Sequence, residues 1–259
     1  MRILVTFAVE AEFAPWLALR KFQQRTLVPD HYSGGLTVYE ADNGTNKIWV
    51  VLTGMGSDAH KNSFSLGVCA KEAGVDIFVS SGLAGALKKE HLVGEVIAPE
   101  RIGTLREANG LAANRELLAM AKERGAKIVD VLLTSDHIVQ TSEEKNRLAF
   151  FGDAVDMESN MLMGQLDAQG IPCVTVRAIS DASDEDLPID FSEFLTSSGK
   201  VKAVPLLQRI LRRPSKIPAL VRFGTRSKKA AANLSGFLDS FVSVLSQEVI
   251  KTGSGVAAE

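Results

Sequence analysis

The sequence predicts an α/β protein, a three-layer sandwich with a central mixed, mostly parallel sheet flanked by helices. Three observations predict it. Short continuous apolar runs rich in Val and Ile recur along the chain, as expected of strands covered on both faces. Segments of helical periodicity separate them. One Asn-Gly pair, Asn43 and Gly44, sits between two extended runs and marks a tight antiparallel hairpin, so the sheet is mixed.

The predicted strands are 3–9, 48–53, 76–82, 95–99, 129–135 and 172–180, with a further extended run ahead of the Asn-Gly turn in LTVYEADNGTNKIWVVLT. Helical patterns cover 57–73, 112–124, 142–150 and 158–168. The opening MRILVTFAVEAEF has an apolar run, but Glu10 and Glu12 interrupt it and no small-residue cleavage site follows, so it reads as a first strand.

A chain of 259 residues can bury a full core as one domain, and one domain over 1–259 is the expectation. With 46% hydrophobic and 23% charged residues and a net charge of -2 it is an ordinary globular composition, which excludes a disordered chain. No window approaches the apolar length of a membrane-spanning helix, so a cytoplasmic protein is expected. Cys69 and Cys173 lie in apolar segments and read as buried structural thiols of a reducing compartment. His31, His60, His91 and His137 show no ligand spacing, so neither a metal nor another cofactor is expected.

Charge is unevenly distributed. Residues 200–229 contain ten Lys or Arg and no acid. Residues 198–250 are therefore read as a basic helical extension of the domain, with Leu206, Leu207, Ile210 and Leu211 facing inward, breaks at Pro214 and Pro218, and a flexible tail over 252–259. A packed helix with a solvated basic face accounts for this segment. A membrane surface or an anionic ligand is the alternative. Its single aromatic, Phe223, offers no stacking platform for nucleic acid.

In open α/β sheets ligands collect at the carboxyl ends of the strands. There the sequence places Glu10 and Glu12, then GMGS, then GLAG with Gly82, Ala84 and Gly85, then Asp136, and finally Asp181. Glycine admits close backbone approach, and carboxylates from several strand ends can converge on one site. In GDAVDMESNMLMGQL, Asp156 reads as a helix cap. Glu158 shares a helical stripe with Leu162 and Leu166, so it is either an amphipathic edge residue or a carboxylate that points into a pocket.

FAVEAEF, TGMG, SSGLAGAL, VDMES and RAISDASDED, in this order and spacing, resemble the nucleoside phosphorylase and nucleosidase superfamily, most closely its 5′-methylthioadenosine/S-adenosylhomocysteine nucleosidases. The resemblance covers residues 1 to about 196. It implies a nucleoside phosphorylase-like sandwich, a homodimer or larger homo-oligomer, a small purine nucleoside as partner, and cleavage of the bond between base and ribose. On it, Asp181 corresponds to the general acid facing purine N7, and Ser180 and Arg177 to neighbours that orient it. Glu12 corresponds to the base that deprotonates the attacking water. Glu158 is matched to the acceptor for the ribose 2′ and 3′ hydroxyls, and Met157 to the methionine packed on the sugar. Ile138 and Val139 align with the segment whose backbone reads the adenine edge. A purine leaves well only when N7 is protonated, so Asp181 is expected to hold a proton near neutral pH through burial.

Phosphorylases of this superfamily carry an Arg two residues before a GSxG turn; here Ser80 stands there, and Glu12 would repel phosphate, so water is the expected nucleophile. Leu83 replaces a small polar residue and Asp156 a glutamate of the nucleosidase pattern. SSGLAGAL together with LLQRILRRPSKIPALVRFG looks more like the hopanoid-associated branch, which removes adenine from adenosylhopane. The expectation is a nucleosidase releasing adenine from a 5′-substituted adenosine. An adenosylhopane-type nucleosidase, a phosphate-dependent phosphorylase and a non-catalytic nucleoside-binding or membrane-surface module are the alternatives.

Overall fold

The structure, a computed structural model, describes residues 1–27, 36–44, 46–54, 66–189, 215 and 217–253. In chain order the elements are β1 (Arg2–Phe7), α1 (Glu10–Leu19), β2 (Gln23–Leu27), β3 (Leu36–Asn43), β4 (Asn46–Leu52), α2 (66–72) and β5 (Ile77–Ala86). They continue with β6 (Val96–Thr104), β7 (Glu107–Ala112), α3 (Arg115–Glu123), β8 (Lys127–Thr134), α4 (Ser142–Leu148), β9 (Ala154–Asp156), α5 (Ser159–Asp167), β10 (Cys173–Asp181) and α6 (Ile217–Gly253).

Among the described residues the ten strands form one mixed sheet. Strand β1 lies between β4 and β5 and runs parallel to both, and β10 runs parallel to β5, so the carboxyl ends of these four strands share one edge. The β3–β4 hairpin turns at Gly44, whose φ of 64° suits a residue without a Cβ, as the Asn-Gly signal requires. Strand β10 also pairs with β6, and β6, β8, β9 and β5 pair in succession, which closes that half of the sheet into a ring.

Alternation along the strands builds the two apolar layers. Ile3, Val5 and Phe7 face one way, with Ile48, Val50, Val174 and Val176, and are covered by α1, α3 and α6. Leu4, Trp49, Val51 and Phe78 face the other way and are covered by α2 and α5 through Leu66, Ala70, Leu162 and Leu166. All nine residues of β10 are buried, as its unbroken apolar run demands.

Four expectations change. Helix α1 is not predicted, because Pro15 and a continuous apolar run obscure its period; Phe13 and Trp16, both fully buried, hold it on the sheet, so Glu10 and Glu12 belong to a helical first turn rather than to a strand end. Strands β2, β7 and β9 are also unpredicted, being short or polar edges. Pro218 does not break the last helix: it stands in the first turn of α6, where its missing N–H costs no hydrogen bond. Residues 252 and 253, expected in the tail, are helical.

Ala230, Ala231, Leu234, Phe237, Leu238, Phe241, Val242 and Leu245 of α6 recur at helical spacing and join the first apolar layer. Its earlier turns expose Arg222, Lys228 and Lys229. Leu206, Leu207, Ile210, Leu211 and Pro214, most of 57–73, and His31 and His60 lie outside the described residues. Cys69 and Cys173 are buried and unpaired, and burial pushes the Cys173 thiol up to about 12. Among the described residues no helix is long and apolar enough to cross a membrane, and no cluster of side chains could hold a metal ion.

Candidate active site

The carboxyl end of β1 leads directly into α1, and this tight passage fixes Glu12. Its carboxylate accepts from the Ala8 N–H at 3.1 Å and, across the sheet edge, from the Leu83 N–H of β5 at 3.1 Å. Loss of solvation pushes the Glu12 carboxyl above its ordinary 4.5, opposed first by the Leu83 N–H and then by the nearby Arg177 guanidinium. Gly82 makes the approach possible. Its φ is 151°, and a Cβ there would stand 3.3 Å from Glu12 Oε2.

Glu158 is the residue before α5, with φ of -129°, and it does not cap the helix with its side chain. Asp156 does that work: the Ser159 N–H donates to its carboxylate at 3.2 Å and the Ser159 hydroxyl at 2.5 Å. Glu158 thereby faces the same pocket as Glu12. That pocket is lined by Glu12, Glu158, Gly82, Leu162, Arg177 and Thr53, among others. The stripe of Glu158, Leu162 and Leu166 is realised, with both leucines buried.

Asp156 also carries more than a cap. It forms a buried ion pair with Arg177, whose Nε and Nη2 both donate to Oδ2. The same guanidinium donates to Ser80 Oγ at 3.0 Å, Ser159 Oγ at 2.7 Å and the Val176 carbonyl at 3.0 Å. The expectation that Arg177 orients Asp181 is therefore corrected. Its hydrogen bonds go to Asp156, Ser80, Ser159 and the carbonyl of Val176 on its own strand, and the irregularity between Ile179 and Asp181 breaks the alternation that would otherwise put Arg177 and Asp181 on one face of β10.

Asp181 ends β10. The register of β10 against β5 shifts between Ile179 and Asp181, which re-aims the carboxylate over Gly85. A Cβ on Gly85 would come within 3.0 Å of Asp181 Oδ2. The Ser180 hydroxyl donates to Asp181 Oδ1 at 2.5 Å, and Ser180 Oγ also lies 3.2 Å from the Ala84 carbonyl. Burial is met, with Asp181 8% exposed. The surroundings are not apolar, however: Lys145 Nζ of α4 stands 2.5 Å from Asp181 Oδ2.

Val139 is buried against Leu133, Leu148 and Val155, and Ile138 beside it is half-buried. The next residue, Gln140, accepts the Leu187 N–H at 2.8 Å, so this segment abuts the loop that follows Asp181. Met157 is half-buried next to Glu158. Glu12, Glu158, Arg177 and Gly82 are thus brought into one pocket. Asp181, Ser180, Ala84 and Gly85 form a second cluster, two to three residues further along β5 than Gly82.

The sequence pattern described as Phosphorylase superfamily matches residues 2–212. The chain belongs to this superfamily. Among members of the phosphorylase superfamily, it is 24% identical over 225 residues to the aminodeoxyfutalosine nucleosidase of Campylobacter jejuni, covering 78% of this chain and 95% of that protein. It is 24% identical over 197 residues to the 5′-methylthioadenosine/S-adenosylhomocysteine nucleosidase of Actinobacillus succinogenes, covering 66% and 84%. The fold matches that of a futalosine hydrolase from Helicobacter pylori with a TM-score of 0.68 at 20% identity, over 93% of this chain and 97% of that one.

Within this superfamily frame, sequence reasoning missed two features. One is the Asp156–Arg177 pair, which spacing does not reveal because its partners are 21 residues apart. The other is Lys145. It shares a helical stripe with Leu148, and a lysine on an apolar stripe of a short helix is the signal that could have found it.

Proposed function

We propose that the chain is a purine nucleosidase that hydrolyses the N-glycosidic bond of a 5′-substituted adenosine of the methylthioadenosine and S-adenosylhomocysteine type and releases adenine. The observation that carries this reading is the pairing of Glu12 and Glu158 in one pocket whose guanidinium, Arg177, is engaged by Asp156. Such a lining repels a phosphate and suits water. Burial raises the Glu12 pKa above its ordinary value, the direction that strengthens a carboxylate as a general base.

In this reading Glu12 takes a proton from water as it attacks C1′. Glu158 accepts hydrogen bonds from the ribose diol and stabilises the positive charge that develops on the sugar. Met157 packs on the sugar, and the backbone at Ile138 and Val139 reads the adenine edge. The C1′–N9 electron pair enters the purine, and Asp181, held by Ser180, protonates N7. Gly82, Ala84 and Gly85 supply the close backbone wall. The chain acts as one domain, with α6 as part of its core, and as a homodimer in the cytoplasm.

A second reading keeps the machinery and changes the substituent. The similarity to an aminodeoxyfutalosine nucleosidase over 78% of the chain supports a nucleoside of the aminodeoxyfutalosine type. The exposed Ile217, Val221 and Arg222 at the start of α6 favour an adenosylhopane-like tail or contact with a membrane surface.

The test is adenine release from methylthioadenosine, S-adenosylhomocysteine, aminodeoxyfutalosine and a hydrophobic 5′-substituted adenosine, with and without phosphate. Release without phosphate, nearly abolished in Asp181→Asn, is expected. Strict dependence on phosphate would overturn the hydrolytic reading.

A further inference from the structure

Lys145 is fully buried on α4, and its ammonium has an acceptor for each of its three protons. They are Asp181 Oδ2 at 2.5 Å, the Ala182 carbonyl at 2.8 Å and the Glu185 carbonyl at 3.0 Å. A buried lysine needs this full set to remain charged. Two of the three acceptors belong to the loop leaving Asp181. The same loop is tied to α4 again at its far end, where Asp186 accepts from the Ser142 N–H and hydroxyl at 2.8 and 2.9 Å.

This arrangement conflicts with a simple acid at Asp181. A general acid must donate a proton, yet both Asp181 oxygens act as acceptors here, Oδ1 from the Ser180 hydroxyl and Oδ2 from the Lys145 ammonium. The conflict disappears if the proton comes from behind the carboxylate. Resting on the nucleosidase reading, we propose that Lys145 is the proton source that acts through Asp181, and that it holds the carboxylate in place for the departing purine. As the C1′–N9 bond breaks, its electron pair enters the purine and N7 takes a proton from Asp181. One Nζ proton passes to Asp181 along the 2.5 Å contact, and Lys145 is left as the neutral amine until solvent restores it. The water proton goes to Glu12, so charge balances over the turnover.

The other charged groups around the pair have partners of their own. The Glu185 carboxylate is held by Arg226 of α6, and Glu144 of α4 pairs with His137 at 2.7 Å, which in turn meets Asp136. Asp136 and Glu144 push the His137 imidazole above its ordinary 6.5, so a His137→Asn control separates its titration from that of the pair.

The experiment is the pH dependence of adenine release by the full chain. In the unaltered protein the alkaline limb of kcat is the reference against which the variants are read. In Lys145→Met, kcat falls at least tenfold with KM within about twofold, because the lysine acts through Asp181 and not on the substrate, and the alkaline limb moves to lower pH. Ethylamine added to Lys145→Ala restores part of the rate. A lysine serving only the fold would lower Tm and leave the limb where it was, and that result overturns the proposal. An alkaline limb in the carboxylate range of the unaltered protein overturns it without any variant, so a failure of either variant to fold does not shelter it. If the unaltered chain releases no base from any nucleoside, the nucleosidase reading itself falls and this proposal falls with it. Base release with an unmoved limb sinks the lysine alone.

Discussion

Arg177 and Asp156 meet twice on one oxygen, Nε at 3.0 Å and Nη2 at 2.8 Å from Oδ2, with both side chains almost wholly buried. The pair ties the middle of β10 to the end of β9, and Asp156 in turn caps α5, so one carboxylate joins three elements. Removing one partner of a buried pair leaves an uncompensated charge and costs about 3–5 kcal/mol. Asp156→Ala should therefore lower Tm by roughly 10 °C in a protein of this size. It should also weaken adenine release, because Glu158 is placed by the turn that Asp156 caps. Thermal denaturation followed by circular dichroism measures the first effect, and a loss under about 2 °C would contradict it.

Glu12 predicts a linked change in rate and stability. Its folded-state pKa lies above the ordinary value because burial removes solvent from the carboxylate. A carboxyl raised on folding binds a proton more readily in the native chain. Its contribution to stability is then present below the ordinary 4.5 and is lost as pH rises through the folded value. The Tm of Glu12→Gln should accordingly gain on that of the unaltered chain as pH rises through this window. Over the same window the unaltered enzyme should gain activity, as Glu12 ionises to serve as base, while Glu12→Gln loses about 10²–10⁴-fold in kcat. Parallel melting curves and rate profiles from pH 4 to 8 test the pair of effects; a Tm difference that does not vary with pH counts against both.

Glu158 predicts a substrate-dependent loss. If its carboxylate accepts from the ribose diol, Glu158→Gln should cost about 10²-fold in kcat/KM with the ribonucleoside, the scale of one charged hydrogen bond in a dry site. A 2′-deoxy substrate already lacks one of these donors, so the variant should lose clearly less with it. Equal losses on the two substrates would place the effect of Glu158 elsewhere than on the diol.

Strands with continuous apolar runs were legible because burial on both faces leaves no other reading, as in 172–180 for β10. Helix α1 was not, since Pro15 and Phe13 hide its period and only the packing of Phe13 and Trp16 on the sheet reveals why it forms. For the site, Glu158 was legible from its stripe with Leu162 and Leu166, and Gly82 and Gly85 from the glycines that follow an apolar run, although both lie within β5 rather than past its end. The partners of the Arg177 guanidinium and the Lys145 ammonium were not legible, because a long side chain reaches across elements that spacing along the chain does not relate. Lys145 and Asp181 are 36 residues apart and meet only after α4 packs on the end of β10.

Gly82 separates shape from charge at the site. Its φ of 151° is one an L side chain rarely adopts, and an added Cβ would press on Glu12 Oε2 at 3.3 Å. Gly82→Ala should therefore cost about 1–3 kcal/mol of stability from backbone strain. The same methyl would push the Glu12 carboxylate off the Leu83 N–H, which now holds it at 3.1 Å. If Glu12 is the base, a misplacement of a few tenths of an ångström slows proton abstraction, so kcat should fall about tenfold or more while KM changes little. Gly44→Ala is the matching control: its φ is also positive, at 64°, but nothing lies within 4 Å of its added Cβ and it is on the hairpin remote from Glu12. That variant should lose stability with its turnover preserved. If Gly82→Ala kept full kcat at matched folded fraction, the placement of Glu12 by the β5 backbone would not be what sets its reactivity.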